Sequence, residues 1–196
     1  MKWRLRFTRI LLVPLGLLAL TSHHVYPEGG MWDTSISVMG FLLLLAAMGG
    51  RIWASAYLVG RKNQTLVTAG PYSIVRNPLY FFSLIGFIGA GLAFESLVLA
   101  MLFGLVFFLS HWPVILKEEA RLSELFGAEF EVYRRRVPRL IPRIRGLEGR
   151  RSMELDAHRF ETALRDCIAI PLVFIAAHGL EAAKVSGILP VLFQLP

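Results

Sequence analysis

The sequence has a single cysteine, Cys167, so no disulfide can form within the chain and cysteine usage leaves the redox compartment open. Nothing beside Cys167 would favour a thiolate, so it reads as an apolar filler in a helix rather than a nucleophile. No glycine-rich loop follows a strand-like run, which argues against a Rossmann-type nucleotide site. The histidines lack ligand spacing: His23 and His24 are adjacent, and His111, His158 and His178 are isolated, so no metal is assigned. Acidic residues are few, 14 against 21 Lys and Arg, and the formal charge is +7. That balance alone would suit nucleic acid. The basic residues instead sit beside hydrophobic segments, where topology and anionic lipid headgroups demand them, so a membrane is the expected partner and nucleic acid is not.

What the chain has in plenty is apolar side chain. Hydrophobic residues make up 55% of its 196 positions, and the mean hydropathy is +0.57. Lipid is therefore the expected solvent for much of the surface, and the length suggests one domain. "ILLVPLGLLAL" (10–20) follows a basic start without a small-residue cleavage site, and reads as a retained first span with a kink at Pro14. A second span runs roughly from Trp32 to Ile52, a third over 79–93 and a fourth over 96–116, the last close to the ~20 residues that a bilayer requires. "GFIGAG" within the third offers small residues for close helix approach. Beyond the fourth, Ile115, Leu122, Phe126, Phe130, Tyr133 and Val137 recur at helical spacing, so 115–137 reads as an amphipathic helix, interrupted at Gly127 and ended by Pro138 and Pro142. The apolar segment 167–193 is broken by Pro171, Gly179, Glu181, Lys184 and Pro190, and fits one tilted span or two short ones.

Basic residues precede the first span, fall between the second and third at Arg51, Arg61 and Lys62, and follow the fourth. The connections at 22–31 and 94–95 have none. The positive-inside rule thus puts both ends of the four-span core in the cytoplasm, together with the stretch "VTAGPYSIVRNPLYFF" (67–82). In that stretch Pro71 fixes a turn after Gly70, and Pro78 forces Asn77 from helical geometry. The backbone around Arg76 is expected to be held in one shape with its amides free to bind a ligand. Tyr72 and Tyr80 add flat faces with polar tips. A snorkelling anchor would explain Arg76 alone but not the whole string. Glu118 and Glu119 follow the fourth span; neighbours on a helix point about 100° apart, so one can face inward while the other meets water. The arginines at 134–136, with Arg139, Arg143 and Arg145, suit anionic lipid.

Two strings, "LVTAGPYSIVRNPLY" (66–80) and "EEARLSELFGAEFEVYRRRVPRLIP" (118–142), resemble the isoprenylcysteine carboxyl methyltransferase family. That family belongs to a wider class of integral-membrane methyltransferases which includes the phospholipid N-methyltransferases. Leu66, Val67, Thr68, Gly70, Pro71, Tyr72, Arg76, Pro78 and Tyr80 match the first family string. Glu118, Glu119, Leu122, Phe126, Gly127, Tyr133, Val137, Pro138 and Arg139 match the second. Asn77 stands where the family most often has histidine, and Phe130 where tyrosine is usual. Asparagine keeps a hydrogen-bonding role there but cannot titrate near neutrality. The resemblance covers about residues 50–142.

It implies S-adenosylmethionine as cofactor. Arg76 would take the cofactor's carboxylate, Glu118 or Glu119 its ribose hydroxyls or ammonium, and Val67, Thr68, Gly70, Pro71, Tyr72, Asn77, Pro78 and Tyr80 would form the rest of the cofactor site. Arg76 and Arg139 are the implied catalytic residues, Arg139 pairing with a carboxylate acceptor or with a lipid headgroup. The expected molecule is an all-α, polytopic integral membrane protein, with a four-span core, a cytoplasmic amphipathic helix and one or two C-terminal hydrophobic helices. Residues 1–150 would be the methyltransferase core and 151–196 an extension to which no role is assigned. The expected reaction moves a methyl group to a lipid or lipid-modified acceptor reached from the bilayer, a carboxylate or a phospholipid amine. A non-catalytic membrane scaffold is the reading from another class.

Overall fold

The computed structural model describes residues 2–27, 29–59, 64–143 and 157–196, without the side chains of 2–9, 158 and 159. Arg61, Lys62 and Arg145, and the boundary expected at residue 150, lie outside the described residues. The chain is mostly helical: α1 (Lys2–Thr21), α2 (Met31–Leu58), the short α3 (Pro71–Ile74), α4 (Pro78–Leu92), α5 (Leu97–Arg136) and α6 (Ala157–Val185). The all-α expectation needs one correction. Ser22–His24 (β1) and Phe193–Leu195 (β2) form a parallel two-stranded sheet with His24 opposite Leu195.

Three helical stretches are long and apolar enough to cross a membrane, Met31–Leu58, Leu97–Arg136 and Phe160–Val185. The spans expected from Trp32 and over 96–116 lie in the first two. Those expected over 10–20 and 79–93 form shorter apolar helices, Ile10–Thr21 and Pro78–Leu92. The third long stretch belongs to the C-terminal segment, where a single helix runs through Pro171 instead of two short ones. It ends at Val185, followed by Gly187, whose φ of 75° suits glycine, with Ile188 N–H donating to the Ala183 carbonyl at 2.9 Å. Large apolar side chains stand exposed on all three, among them Leu42, Met101, Phe108, Leu172 and Ile175. Exposed apolar surface of this kind suits hydrocarbon as its solvent.

The chain divides into two compact units. Unit 1 comprises Met1–Ala47, Leu84–His111 and Ala169–Pro196. Here α1 packs on α5 through Leu15, Ala19, Leu99 and Val106, and Leu44, Ala90, Ala93 and Ala177 bring α2, α4 and α6 together. The small residues of α4 allow the approach expected of them: a Cβ on Gly89 would lie 3.0 Å from the Leu43 Cβ, and one on Gly91 only 2.3 Å from the Ala100 Cα. The turn at 93–95 holds Glu95 at φ 56°, buried. Burial, with Asp33 beside it, pushes the Glu95 carboxyl up to about 7.

Unit 2 comprises Met48–Ser83 and Trp112–Ile168. The amphipathic segment expected over 115–137 lies in the second half of α5, and the interruption expected at Gly127 is there: the helix kinks where Gly127 leaves helical geometry, at φ 49° and ψ −121°. Its periodic residues Phe130, Tyr133 and Val137 are buried together, with Leu122, Phe126 and Leu66 packed against them. Phe130 is fully enclosed, so no phenolic hydroxyl is missed there.

Candidate functional site

Unit 2 builds its polar centre from the two motif strings. Gly70 precedes α3 at φ 63°, and a Cβ there would lie 2.3 Å from the ring of Tyr57, so backbone and space both require glycine. Pro71 opens the turn, and extended Val75 closes it. Pro78 then starts α4, with the Asn77 carbonyl accepting the N–H groups of Tyr80 and Phe81 at 3.1 and 3.0 Å. Arg76 and Asn77 therefore sit on a short bridge between two helix starts. The amides of this stretch are not free, which corrects the sequence expectation. Arg76 N–H donates to the Pro138 carbonyl at 2.8 Å, Ser73 N–H to Gly70, and Val75 N–H to Pro71. Unpaired buried amides are too costly to keep, and the chain supplies its own acceptors.

The second string closes on this bridge. Arg143 N–H donates to the Ile74 carbonyl at 3.0 Å, and the Tyr133 hydroxyl to the Tyr72 carbonyl at 2.7 Å. At the centre lies Glu119, 6% exposed. Its Oε1 accepts from Asn77 Nδ2 at 2.9 Å and its Oε2 from Arg139 Nε at 3.0 Å. Arg76 Nε stands 3.4 Å from Oε1 but makes no hydrogen bond, and Arg76 Nη1 donates weakly to the Arg134 carbonyl at 3.3 Å. Asn77 Nδ2 donates its second proton to the Arg139 carbonyl at 3.0 Å. The Arg139 guanidinium lies 5.4 Å from the centroid of the Trp112 ring.

Two guanidiniums thus share one carboxylate, which leaves the centre with a surplus positive charge. Burial pulls the Arg76 guanidinium below its ordinary value, Glu119 opposes this and Arg139 adds to it. Burial, then Tyr133, Glu118 and Tyr80, pushes the Tyr72 phenol upward, so it stays neutral. A centre of this kind favours an anionic guest.

The structure brings Arg76, Asn77, Glu119 and Arg139 into one cluster and ties Tyr72 to it through Tyr133. Of the adjacent carboxylates Glu119 faces inward, while Glu118 is half-buried. Val67 packs with Tyr72 and Ala54; Pro71 and Pro78 are buried as backbone clamps, and Thr68 and Tyr80 are half-buried. Sequence reasoning matched Tyr133 to the motif without a role and passed over Trp112. Each acts through a partner distant in the sequence, which the local pattern does not show.

Comparison with known proteins bears on this centre. The sequence model of the phospholipid methyltransferase family matches residues 34–129, a stretch that includes Arg76, Asn77 and Glu119. The nickel-cobalt-cadmium resistance protein NccN of Alcaligenes xylosoxydans xylosoxydans is 33% identical over 184 residues, covering 94% of this chain and 86% of that protein. The cobalt-zinc-cadmium resistance protein CzcN of Cupriavidus metallidurans is 35% identical over 152 residues, 78% of this chain and 70% of that one. A protein-S-isoprenylcysteine O-methyltransferase of Schizosaccharomyces pombe is 39% identical over 83 residues, which is 42% of this chain and 35% of the yeast enzyme. The chain fits the integral-membrane methyltransferase class. Within that class it shares a family with the two resistance proteins, which match it over most of their length. No solved structure matches the chain.

Proposed function

We propose that this member of the class transfers a methyl group from S-adenosylmethionine to a lipid or lipid-modified acceptor, with a carboxylate as the favoured acceptor. The observation that carries the reading is the buried Arg76–Glu119–Arg139 cluster, locked by Asn77, with more guanidinium than carboxylate. The residues fit the cofactor. Arg76 Nε, 3.4 Å from Glu119, is a buried donor without a hydrogen-bond acceptor, and its guanidinium suits a further group carrying negative charge, such as the amino-acid carboxylate of S-adenosylmethionine. Glu118, half-buried beside Tyr72, would meet the ribose hydroxyls or the ammonium, and the wall of Val67, Pro71 and Tyr72 would take the adenine.

The cofactor, when bound, supplies a methyl group already activated by its sulfonium. The chain's task is then alignment and exclusion of water. Arg76 would hold the cofactor, Asn77 and Glu119 would hold Arg139, and Arg139, with 35% of its side chain exposed, would orient an acceptor carboxylate. A carboxylate needs no proton removed before it attacks. That suits a cluster in which Asn77 cannot titrate and both Glu119 oxygens are already engaged. Methylation of a phospholipid amine is the second reading, favoured by the family whose model matches residues 34–129. The cofactor would enter from the cytoplasm and the acceptor laterally from the bilayer, through a four-span core. The names of the two resistance proteins point to cells under divalent-metal load as the setting.

Titration calorimetry of S-adenosylhomocysteine onto the detergent-solubilised protein tests the cofactor. Binding is expected in the wild type, and Arg76→Ala should weaken it by about 2 kcal/mol or more, roughly thirtyfold, with the fold intact. No binding at millimolar ligand would favour the scaffold reading instead.

A further inference from the structure

Unit 1 contains a second buried polar cluster that the methyl-transfer reading does not use. It gathers residues from four separate parts of the sequence. His23 and His24 lie on β1, Asp33 in the first turn of α2, Glu95 in the 93–95 turn, and Glu181 near the end of α6. The Nε2 atom of His24, whose side chain is 2% exposed, faces three carboxylates: Glu95 Oε2 at 3.1 Å, Glu181 Oε1 at 3.7 Å and Asp33 Oδ1 at 3.8 Å. His23 Nε2 stands 3.2 Å from the same Glu181 oxygen, and the two imidazoles stack at 4.4 Å. The ligand atoms of His24, Asp33 and Glu95, and those of His23, His24 and Glu181, each lie within 4.8 Å of one another.

Hydrogen bonding alone does not satisfy this cluster. The Asp33 Oδ2 accepts from Gly29 N–H at 2.8 Å, and Glu181 Oε2 from Lys184 Nζ at 2.9 Å. Their other oxygens, Asp33 Oδ1 and Glu181 Oε1, are buried without a hydrogen-bond partner, as is His24 Nδ1. A single proton on His24 Nε2 can serve one of the three facing oxygens and no more. Among the described residues here, Asp33, Glu95 and Glu181 bring three carboxyl groups to one lysine, Lys184, with His178 Nε2 3.7 Å from Glu95 Oε1. A cation at the centre would take up the buried oxygens that Lys184 leaves unpaired.

We propose that this cluster is a binding site for one divalent transition-metal ion, held by His24, Asp33, Glu95 and Glu181, with His23 stacked on His24 and supporting Glu181. The spacings fit: nitrogen and oxygen ligands at 2.0–2.2 Å around a tetrahedral ion lie roughly 3.3–3.5 Å apart, within the span set by the contacts of His24. Imidazole with carboxylate and no thiolate selects borderline ions of the zinc, cobalt and nickel kind over copper(I), and the imidazoles set it apart from an all-oxygen calcium or magnesium site. Two of its anchors, β1 and the 93–95 turn, are the connections that lack Lys and Arg, so the site belongs to the outer face, where it would meet metal ions arriving from outside the cytoplasm.

The test uses the full-length protein in detergent, stripped with EDTA, desalted and titrated with Zn²⁺. The expected result is one zinc retained per chain after a second desalting, and a rise of several degrees in Tm with zinc in excess. Asp33→Asn and Glu95→Gln, near-isosteric changes that keep the fold, should each weaken zinc binding at least tenfold and abolish the rise in Tm. His24→Gln should do the same; if it fails to fold, the two carboxamide variants decide. Arg139→Ala, in the other unit, should bind zinc as the wild type does. Folded wild-type protein that retains no zinc overturns the proposal and leaves a buried ion-pair network. Zinc retained equally by Asp33→Asn and Glu95→Gln also overturns it, because the ion then sits elsewhere.

Discussion

Asn77 donates both protons of its amide, one to Glu119 Oε1 and one to the Arg139 carbonyl, from a side chain that is 5% exposed. A neutral imidazole has one N–H to offer, so the asparagine links carboxylate and backbone without depending on protonation. The change Asn77→Asp would set a second carboxylate against Glu119, and we expect it to lower stability by about 3 kcal/mol, read as a drop in Tm, with recovery as acid protonates the pair. Gly70→Ala meets both the left-handed backbone and the Tyr57 ring, and should cost about 2 kcal/mol or more in the same assay. At this scale the sequence made the residue types of the centre readable, because rigid prolines and an arginine beside a span are locally unusual. It did not reveal Trp112 under Arg139, or Tyr133 on the Tyr72 carbonyl, since both depend on contacts between residues far apart in the sequence.

At the level of elements, α5 joins an apolar half to a charged half, and Gly127 is where its backbone departs from helix. A Cβ at Gly127 would meet no atom within 4 Å, so Gly127→Ala isolates the backbone term and should cost about 1–3 kcal/mol through φ alone. The helical spacing from Ile115 to Val137 was legible because it repeats. The short turn at 94–95 was legible because two apolar runs flank it. The β1–β2 pair was not, because three-residue strands from opposite ends of the chain leave no periodic trace. Nor was the grouping of His24 with Asp33, Glu95 and Glu181, whose separations follow no ligand spacing and exist only once α2, α4, α5 and α6 are assembled.

For the whole molecule, the distribution of Lys and Arg makes a statement about sidedness that can be read by labelling. In a Cys167→Ala background, a membrane-impermeant maleimide should label Val25→Cys in sealed right-side-out vesicles and should reach Thr65→Cys only after permeabilisation. Labelling of Thr65→Cys from outside, with Val25→Cys reached only after permeabilisation, would reverse the assigned orientation. Membership of the methyltransferase class rests on sequence; the chemistry is tested most directly by following the methyl group itself. Membranes containing the protein are incubated with S-adenosylmethionine labelled in its methyl group, and label in the lipid and lipidated-protein fractions is measured before and after mild base. Label above that of membranes lacking the protein is expected, released by base as an ester would be, and lost in Arg76→Ala. Base-stable label would move the acceptor to an amine. No label above background, from folded wild-type protein, would contradict the account.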